Sequence, residues 1–317
     1  MKKRVIVTGG AGFIGSHLAR KLHERGYDVV VFDDFSNASG NKNLPKGIKI
    51  FKKSILNILA LRDAFKHADA VFHLAVKPLA MSFDYPEEVV KVNDYGTYLV
   101  SKVCTDLKLK LIHVSSSEAY GTAKYIPMKE NHPFFPSTIY ASSKAAAEHY
   151  VRGFEKTNGL RAVIVRPFNS YGSYMREDNY AAALPNFYGR ISKGLAPIIY
   201  GTGNQTRDFT YVEDTAEGII LAGEEPSALG DTFNIGQGRE VPIKNMAKIM
   251  MKKYSEITGI TVDLKLKYQK ARKGDVQRHL ADISHARRVL GYKPKITFEE
   301  GIANYLLWRL SVNKIKP

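Results

Sequence analysis

A single cysteine, Cys104, stands among 317 residues. No disulfide can close within the chain, and no multi-cysteine zinc site is available. That scarcity suits a reducing compartment, so a cytoplasmic setting is expected. Acidic side chains are also in short supply, 31 against 47 lysines and arginines, which leaves a formal charge of +16. Such a balance raises nucleic acid, anionic surfaces and small polyanionic substrates as partners. No apolar run approaches a membrane span, and Val5-Ile6-Val7 behind the basic start is far too short for a secretory signal. Repeats and low-complexity tracts are missing. His17, His73, His113 and His149 fall on different elements without ligand spacing, so no metal is expected.

What is present describes a folded α/β protein. Hydrophobic residues make up 44% and charged residues 25%, enough apolar material for a proper core. The charge is uneven: residues 244–317 hold 17 basic and 6 acidic side chains, so most of the excess sits in the C-terminal quarter. Short Val/Ile-rich runs at 4–8, 28–32, 48–52, 70–74, 110–115 and 161–166 read as buried strands. Amphipathic stretches at 13–25, 56–66, 86–106 and 138–157 read as helices between them. This alternation predicts a doubly wound, Rossmann-like parallel sheet covered on both faces. After Pro167 the rhythm breaks into Gly, Asn, Tyr and Pro, with helices expected near 182–193, 212–224, 243–255 and 298–312. The expected division is a dinucleotide-binding and catalytic domain over 1–170. A smaller substrate-binding lobe, mainly 171–317, is interleaved with it.

The segment Thr8-Gly9-Gly10-Ala11-Gly12-Phe13-Ile14-Gly15 follows the first strand and opens a helix. Gly9 permits the tight turn, Gly12 lets a pyrophosphate approach the backbone, and Gly15 lets the helix pack on the strand. Asp33 ends the second strand, 18 residues after Gly15, where a carboxylate accepts hydrogen bonds from ribose hydroxyls and repels a 2′-phosphate. NAD is therefore expected rather than NADP. Asp34 reads as a turn residue.

Tyr140 and Lys144 share one helix face at i, i+4 spacing. A nearby ammonium lowers a phenol's pKa, so this pair suits proton abstraction from an alcohol. Ser115-Ser116-Ser117-Glu118-Ala119-Tyr120-Gly121 leaves the fifth strand at its carboxyl end, where such folds place catalytic groups.

Taken together these motifs resemble the extended short-chain dehydrogenase/reductase family, the nucleotide-sugar epimerases and dehydratases. Further matches are His73-Leu74-Ala75, Asn93 with Gly96-Thr97, Arg166-Pro167-Phe168-Asn169-Ser170-Tyr171-Gly172 and Arg207-Asp208-Phe209-Thr210-Tyr211-Val212. Phe233-Asn234-Ile235-Gly236 and Arg272-Lys273-Gly274-Asp275 continue the likeness. The resemblance implies that Tyr140 takes the sugar C4 hydroxyl proton while the C4 hydride passes to NAD. Ser116 would be the catalytic hydroxyl and Lys144 would hold the nicotinamide ribose. Phe13, Ile14, Ile55, Leu74 and Ala75 would line the cofactor. Ser117, Asn169, Arg207 and Arg272 would meet the sugar diphosphate, and Asn186 and Phe187 the base. Asp275 would be a structural or hydroxyl-binding partner. The sequence departs from the family at Ser54, where an adenine-contacting Asp is usual, and at Val76-Lys77.

Three reactions share the C4 oxidation. Glu118 points first to a 4,6-dehydratase, which needs a base for the C5 proton. Dehydratases of the family carry Glu there, often after Asp and sometimes after Ser. A 4-epimerase is the alternative, needing no further acid or base, and a UDP-uronate decarboxylase comes third, since those enzymes also show a Ser-Glu pair. Two readings from other classes are a non-catalytic NAD and nucleotide-sugar sensor and a basic nucleic-acid-binding protein. The segment Lys265–Lys273 could serve the latter, but its alternation reads equally as an edge strand with a solvated face. Neither nucleic acid nor membrane is expected as a partner. The resemblance further implies a homodimer through the helices at 86–106 and 138–157.

Overall fold

The computed structural model describes residues 2–178, 181–271 and 274–314. Seven parallel strands form the main sheet: β1 (Arg4–Thr8), β2 (Asp28–Phe32), β3 (Lys49–Phe51), β4 (Ala70–His73), β5 (Lys110–Val114), β6 (Arg161–Pro167) and a later strand, Thr232–Ile235. Across the sheet the order is β3-β2-β1-β4-β5-β6, then Thr232–Ile235. The order reverses between β1 and β4, which opens a crevice at the carboxyl ends of those two strands.

Side chains alternate between two cores. Val5, Val7, Val29 and Val31 point to one face and pack with Leu18, Leu22, Ile219 and Ile220. Ile6, Val30 and Phe32 point to the other and pack with Leu61, Phe65, Val103, Cys104 and Val151. Burial on both faces is why these strands read as continuous apolar runs. The covering helices are α1 (Phe13–Glu24), α2 (Ile58–Phe65), α3 (Pro86–Val89), α4 (Gly96–Asp106) and α5 (Ile139–Asn158). A π-helical stretch, Val90–Tyr95, joins α3 to α4 without a break, so 86–106 is helical throughout. Thr138 caps α5 by accepting a hydrogen bond from the Ala141 N–H at 3.1 Å, and Gly159 ends it in the left-handed conformation.

Beyond β6 the chain adds β7 (Ser170–Tyr171), α6 (Ala183–Ile191), β8 (Ile198–Tyr200), β9 (Thr206–Asp208) and β10 (Thr210–Tyr211). Then come α7 (Val212–Glu224), β11 (the Thr232–Ile235 strand already placed), β12 (Glu240–Pro242), α8 (Ile243–Thr258), β13 (Lys267–Gln269), α9 (Ser284–Leu290) and α10 (Phe298–Lys314). α7 and β11 return to the main sheet, so residues 212–235 support the cofactor-binding body. A third core of Phe187, Tyr188, Met250, Tyr254, Ile302 and Tyr305 builds the lobe from α6, α8 and α10. Among the described residues no helix is long and apolar enough to cross a membrane.

Candidate active site

A cavity of about 1060 Å³ runs from the glycine loop, past Ser116 and Tyr140, to Phe187 and Arg207. It slightly exceeds the usual range for one small ligand, consistent with room for a dinucleotide and a second molecule. Its floor is the carboxyl edge of the sheet and its roof is the lobe.

The glycine loop is shaped by contact. Gly9 has φ +69°, and a Cβ there would lie 2.6 Å from the Ala75 amide nitrogen. A Cβ on Gly15 would lie 2.1 Å from the Gly9 carbonyl oxygen, so only glycine lets α1 sit this close to the loop. Gly12, at the N-cap of α1, has no side chain to cap it, which leaves the helix's first N–H groups and positive dipole end facing the cavity beside Phe13 and Ile14. Asp33 is held in place by the Ala11 N–H (2.9 Å) and the Phe35 N–H (2.7 Å). Burial pushes its carboxyl up, these two amides oppose that, and Asp34 adds to the rise. Each fixed oxygen keeps a lone pair for a ribose hydroxyl. Leu74, Ala75, Ser54 and Ile55 line the same stretch. Ser54 accepts from the Leu56 N–H at 3.3 Å, and Asp34 accepts from the Ser36 N–H at 2.9 Å as a turn residue. An uncapped helix start, a glycine cradle and an anchored carboxylate together fit NAD.

Ser116, Ser117, Glu118, Tyr140 and Lys144 gather on the next wall. Ser116, two residues beyond β5, accepts from the Glu118 N–H at 3.2 Å, which caps a single 3₁₀ turn, Ser117–Tyr120. Lys144 is buried, and its ammonium donates to the Val114 carbonyl at 2.8 Å. Burial pushes that ammonium down to about 8, against the charge of Glu148. The i, i+4 spacing predicts that Lys144 lowers the Tyr140 phenol. Instead the phenol is pushed up to about 12, because burial dominates, a hydrogen bond with Ser116 pulls only partly back, and Glu118 adds to the rise. Lys144 spends its hydrogen bond on the strand rather than on the phenol.

Burial also raises the Glu118 carboxyl, while Arg207 pulls it down and Asp275 pushes it up. Arg207 bonds Asp275 at 2.5 Å and the carbonyls of Thr206 and Val276 at 2.9 and 2.5 Å. Asn169 lines the cavity with a buried Oδ1 that has no hydrogen-bond partner among the described residues, an acceptor available to a ligand donor. Asn186 and Phe187 lie at the far end on α6, with the Asn186 amide turned back to the Ala181 carbonyl at 3.0 Å. Arg272 lies outside the described residues. Thr138, Lys77, Tyr200 and Gln205 also line the cavity, and no site motif in the sequence marks them. Lys77 stands out in the sequence only as a departure from the family, and Tyr200 and Gln205 sit in the Gly- and Tyr-rich tract whose fold no periodicity reveals.

The GDP-mannose 4,6 dehydratase family model matches residues 6–305. A solved UDP-glucose 4-epimerase from Thermotoga maritima, with UDP-glucose, superposes with a TM-score of 0.91 at 32% identity, covering 98% of this chain and 99% of that one. A solved dTDP-glucose 4,6-dehydratase from Streptomyces venezuelae, with NAD and TYD bound, gives a TM-score of 0.90 at 27% identity, covering 98% of each chain. A UDP-N-acetyl-alpha-D-glucosaminuronate decarboxylase from Bacillus cytotoxicus is 31% identical over 97% of this chain and 98% of its own. The geometry and these likenesses agree: this chain belongs to the extended short-chain dehydrogenase/reductase family of NAD-dependent nucleotide-sugar epimerases, dehydratases and decarboxylases.

Proposed function

We propose that the protein is a nucleotide-diphosphate-sugar 4,6-dehydratase. The observation that carries this reading is Glu118, a half-buried, cavity-lining carboxylate two residues from Ser116 whose charge interacts with Tyr140 and Arg207. Tyr140 takes the C4 hydroxyl proton, with Ser116 hydrogen-bonded to the same oxygen. NAD, held by the glycine loop and Asp33, would supply the acceptor for the C4 hydride and the donor of hydride to carbon 6. Between those events Glu118 removes the C5 proton, now acidic beside the ketone, and hands it to the departing C6 hydroxyl, which leaves as water. One carboxylate serves both transfers because Ser117 offers no second acid. The final carbanion at C5 is protonated from solvent, and Tyr140 releases its proton. A base held above the ordinary carboxylate range is better matched to this work than a free one. Lys144 orients the nicotinamide ribose, Arg207, Arg272 and Asn169 hold the diphosphate, and Asn186 and Phe187 frame the base.

A 4-epimerase is the second reading, favoured by Ser117, since that reaction needs no acid in this position. The exposed side chains of Tyr95, Ile139 and Tyr150 on the α4–α5 face fit a homodimer. The test is a panel of UDP-, dTDP-, GDP- and CDP-sugars read by mass and proton NMR. Loss of water supports the dehydratase. Unchanged mass with inversion at C4 supports the epimerase, and loss of CO₂ a decarboxylase. Glu118→Gln with full turnover removes Glu118 as the base.

A further inference from the structure

Behind the catalytic wall lies a buried polar network that none of this chemistry uses. Its hub is Arg166 at the end of β6, only 6% exposed. Its Nε meets Glu148 Oε1 and Oε2 at 2.9 and 3.1 Å, and its Nη2 donates to Glu148 Oε2 at 2.6 Å. Its Nη1 donates to the Tyr120 hydroxyl at 2.6 Å and to the Glu130 carbonyl at 2.7 Å. The guanidinium also lies 4.8 Å from the ring centres of Tyr120 and Phe134. Tyr120 in turn donates to Asn234 Oδ1 on β11 at 2.8 Å, and the Asn234 amide donates to the Met128 carbonyl at 2.9 Å.

Stability alone is a poor reason for such an arrangement. Burying two charges carries a desolvation cost, and a well-packed apolar replacement is often no less stable. Position is a better reason. Glu148 stands on α5 four residues beyond Lys144 and eight beyond Tyr140, on the same helix face. Tyr120 is the last residue of the 3₁₀ turn that carries Ser117 and Glu118 and is capped by Ser116. Arg166 thus grips the back of both catalytic elements, and Asn234 fixes the assembly to the sheet.

We infer that Arg166, clamped between Glu148 and Tyr120, is a positioning residue that sets the distance between Tyr140–Lys144 and Ser116–Glu118. The inference rests on those four residues being the reacting set proposed above. A misplacement of about 1 Å between reacting groups costs on the order of a hundredfold in rate, so a rigid clamp has a function to perform.

The test compares Tyr120→Phe, Arg166→Lys and Tyr140→Phe, using the nucleotide sugar that the wild type turns over. Tyr120→Phe keeps the ring and deletes one hydroxyl, and Arg166→Lys keeps the charge but loses the fork. Both are expected to lower kcat about tenfold or more. KM and NAD content should stay close to wild type in both, and so should the Tm of Tyr120→Phe. Tyr140→Phe should be nearly inactive. If Tyr120→Phe keeps kcat within about twofold, or loses activity only in step with folded, NAD-loaded protein, the clamp is overturned. If Arg166→Lys fails to fold, Tyr120→Phe still decides. An active Tyr140→Phe would instead overturn the underlying assignment.

Discussion

The Lys144 ammonium sits 2.8 Å from the carbonyl of Val114, pinning the second turn of α5 to the end of β5. Tyr140, one turn earlier, is thereby held over the carboxyl edge of the sheet. Replacing Lys144 with Met should preserve most of the packing and lower kcat by about a hundredfold or more, the usual scale for losing a group that supports proton transfer. Steady-state turnover with unchanged Tm would check it. A Lys144→Met enzyme with normal kcat would show that the pin has no part in the chemistry.

The acid limb of activity should belong to Glu118. Its carboxyl is raised by burial, with Arg207 opposing and Asp275 reinforcing. A base must be charged, so kcat should fall as pH drops through that raised value, at higher pH than an ordinary carboxylate gives. Asp275→Asn removes a negative charge and frees Arg207, so both effects should move the limb to lower pH. A kcat–pH profile that does not move, or moves upward, contradicts the coupling.

The glycine loop gives a prediction about cofactor. Gly15→Ala places a methyl where the Gly9 carbonyl oxygen already stands, 2.1 Å away. The loop must shift, and protein purified from this variant should carry far less NAD, measured after acid release. Full NAD content would mean that the loop yields without cost to the site.

Stability should depend on Glu213 at low pH. Burial would raise its carboxyl, but His17, Arg20 and Lys21 outweigh this and hold it at about 2. A carboxylate with a depressed folded pKa contributes stability that is present above its unfolded value and lost as pH falls toward the folded one. Glu213→Gln should therefore cost about 1 to 3 kcal/mol at neutral pH, discounted for partial exposure, and little near about pH 2. Denaturant unfolding at the two pH values measures the difference.

The basic excess should act on capture. β13 pairs with β8, placing Lys267 beside Ile198 and Gln269 beside Tyr200, both cavity-lining residues. Lys265, Lys267 and Lys270 are exposed, and none forms an ion pair among the described residues. Changing all three to Gln should lower kcat/KM about threefold to tenfold at low salt, with the two proteins converging at high salt and kcat unchanged. Equal salt slopes would exclude steering by this strand.

The sheet was legible because its signals are local. β1 and β2 are continuous Val/Ile runs, and the structure gives them the expected bounds at Arg4–Thr8 and Asp28–Phe32. Thr232–Ile235 was legible only as a motif. Its polar–apolar alternation runs for only four residues, too short to mark a strand alone, and the strand exists because it pairs with β6 far back in the chain. The site was legible where backbone geometry demands a residue type, as at Gly9, Gly15 and Asp33. Its electrostatics were not. The sign of the Tyr140 shift depends on where Lys144 points, and the Arg166 clamp joins residues 18 and 46 positions apart, which no local pattern relates.

Solvent isotope incorporation tests the central claim most directly. The reaction is run in D₂O with the accepted nucleotide sugar, and the product is read by proton NMR. If Glu118 drives elimination, the 4-keto-6-deoxy product carries one deuterium at C5, because that carbon loses its proton and regains one from solvent. A C4-inverted product with no deuterium at any carbon would contradict the dehydratase account and establish epimerisation.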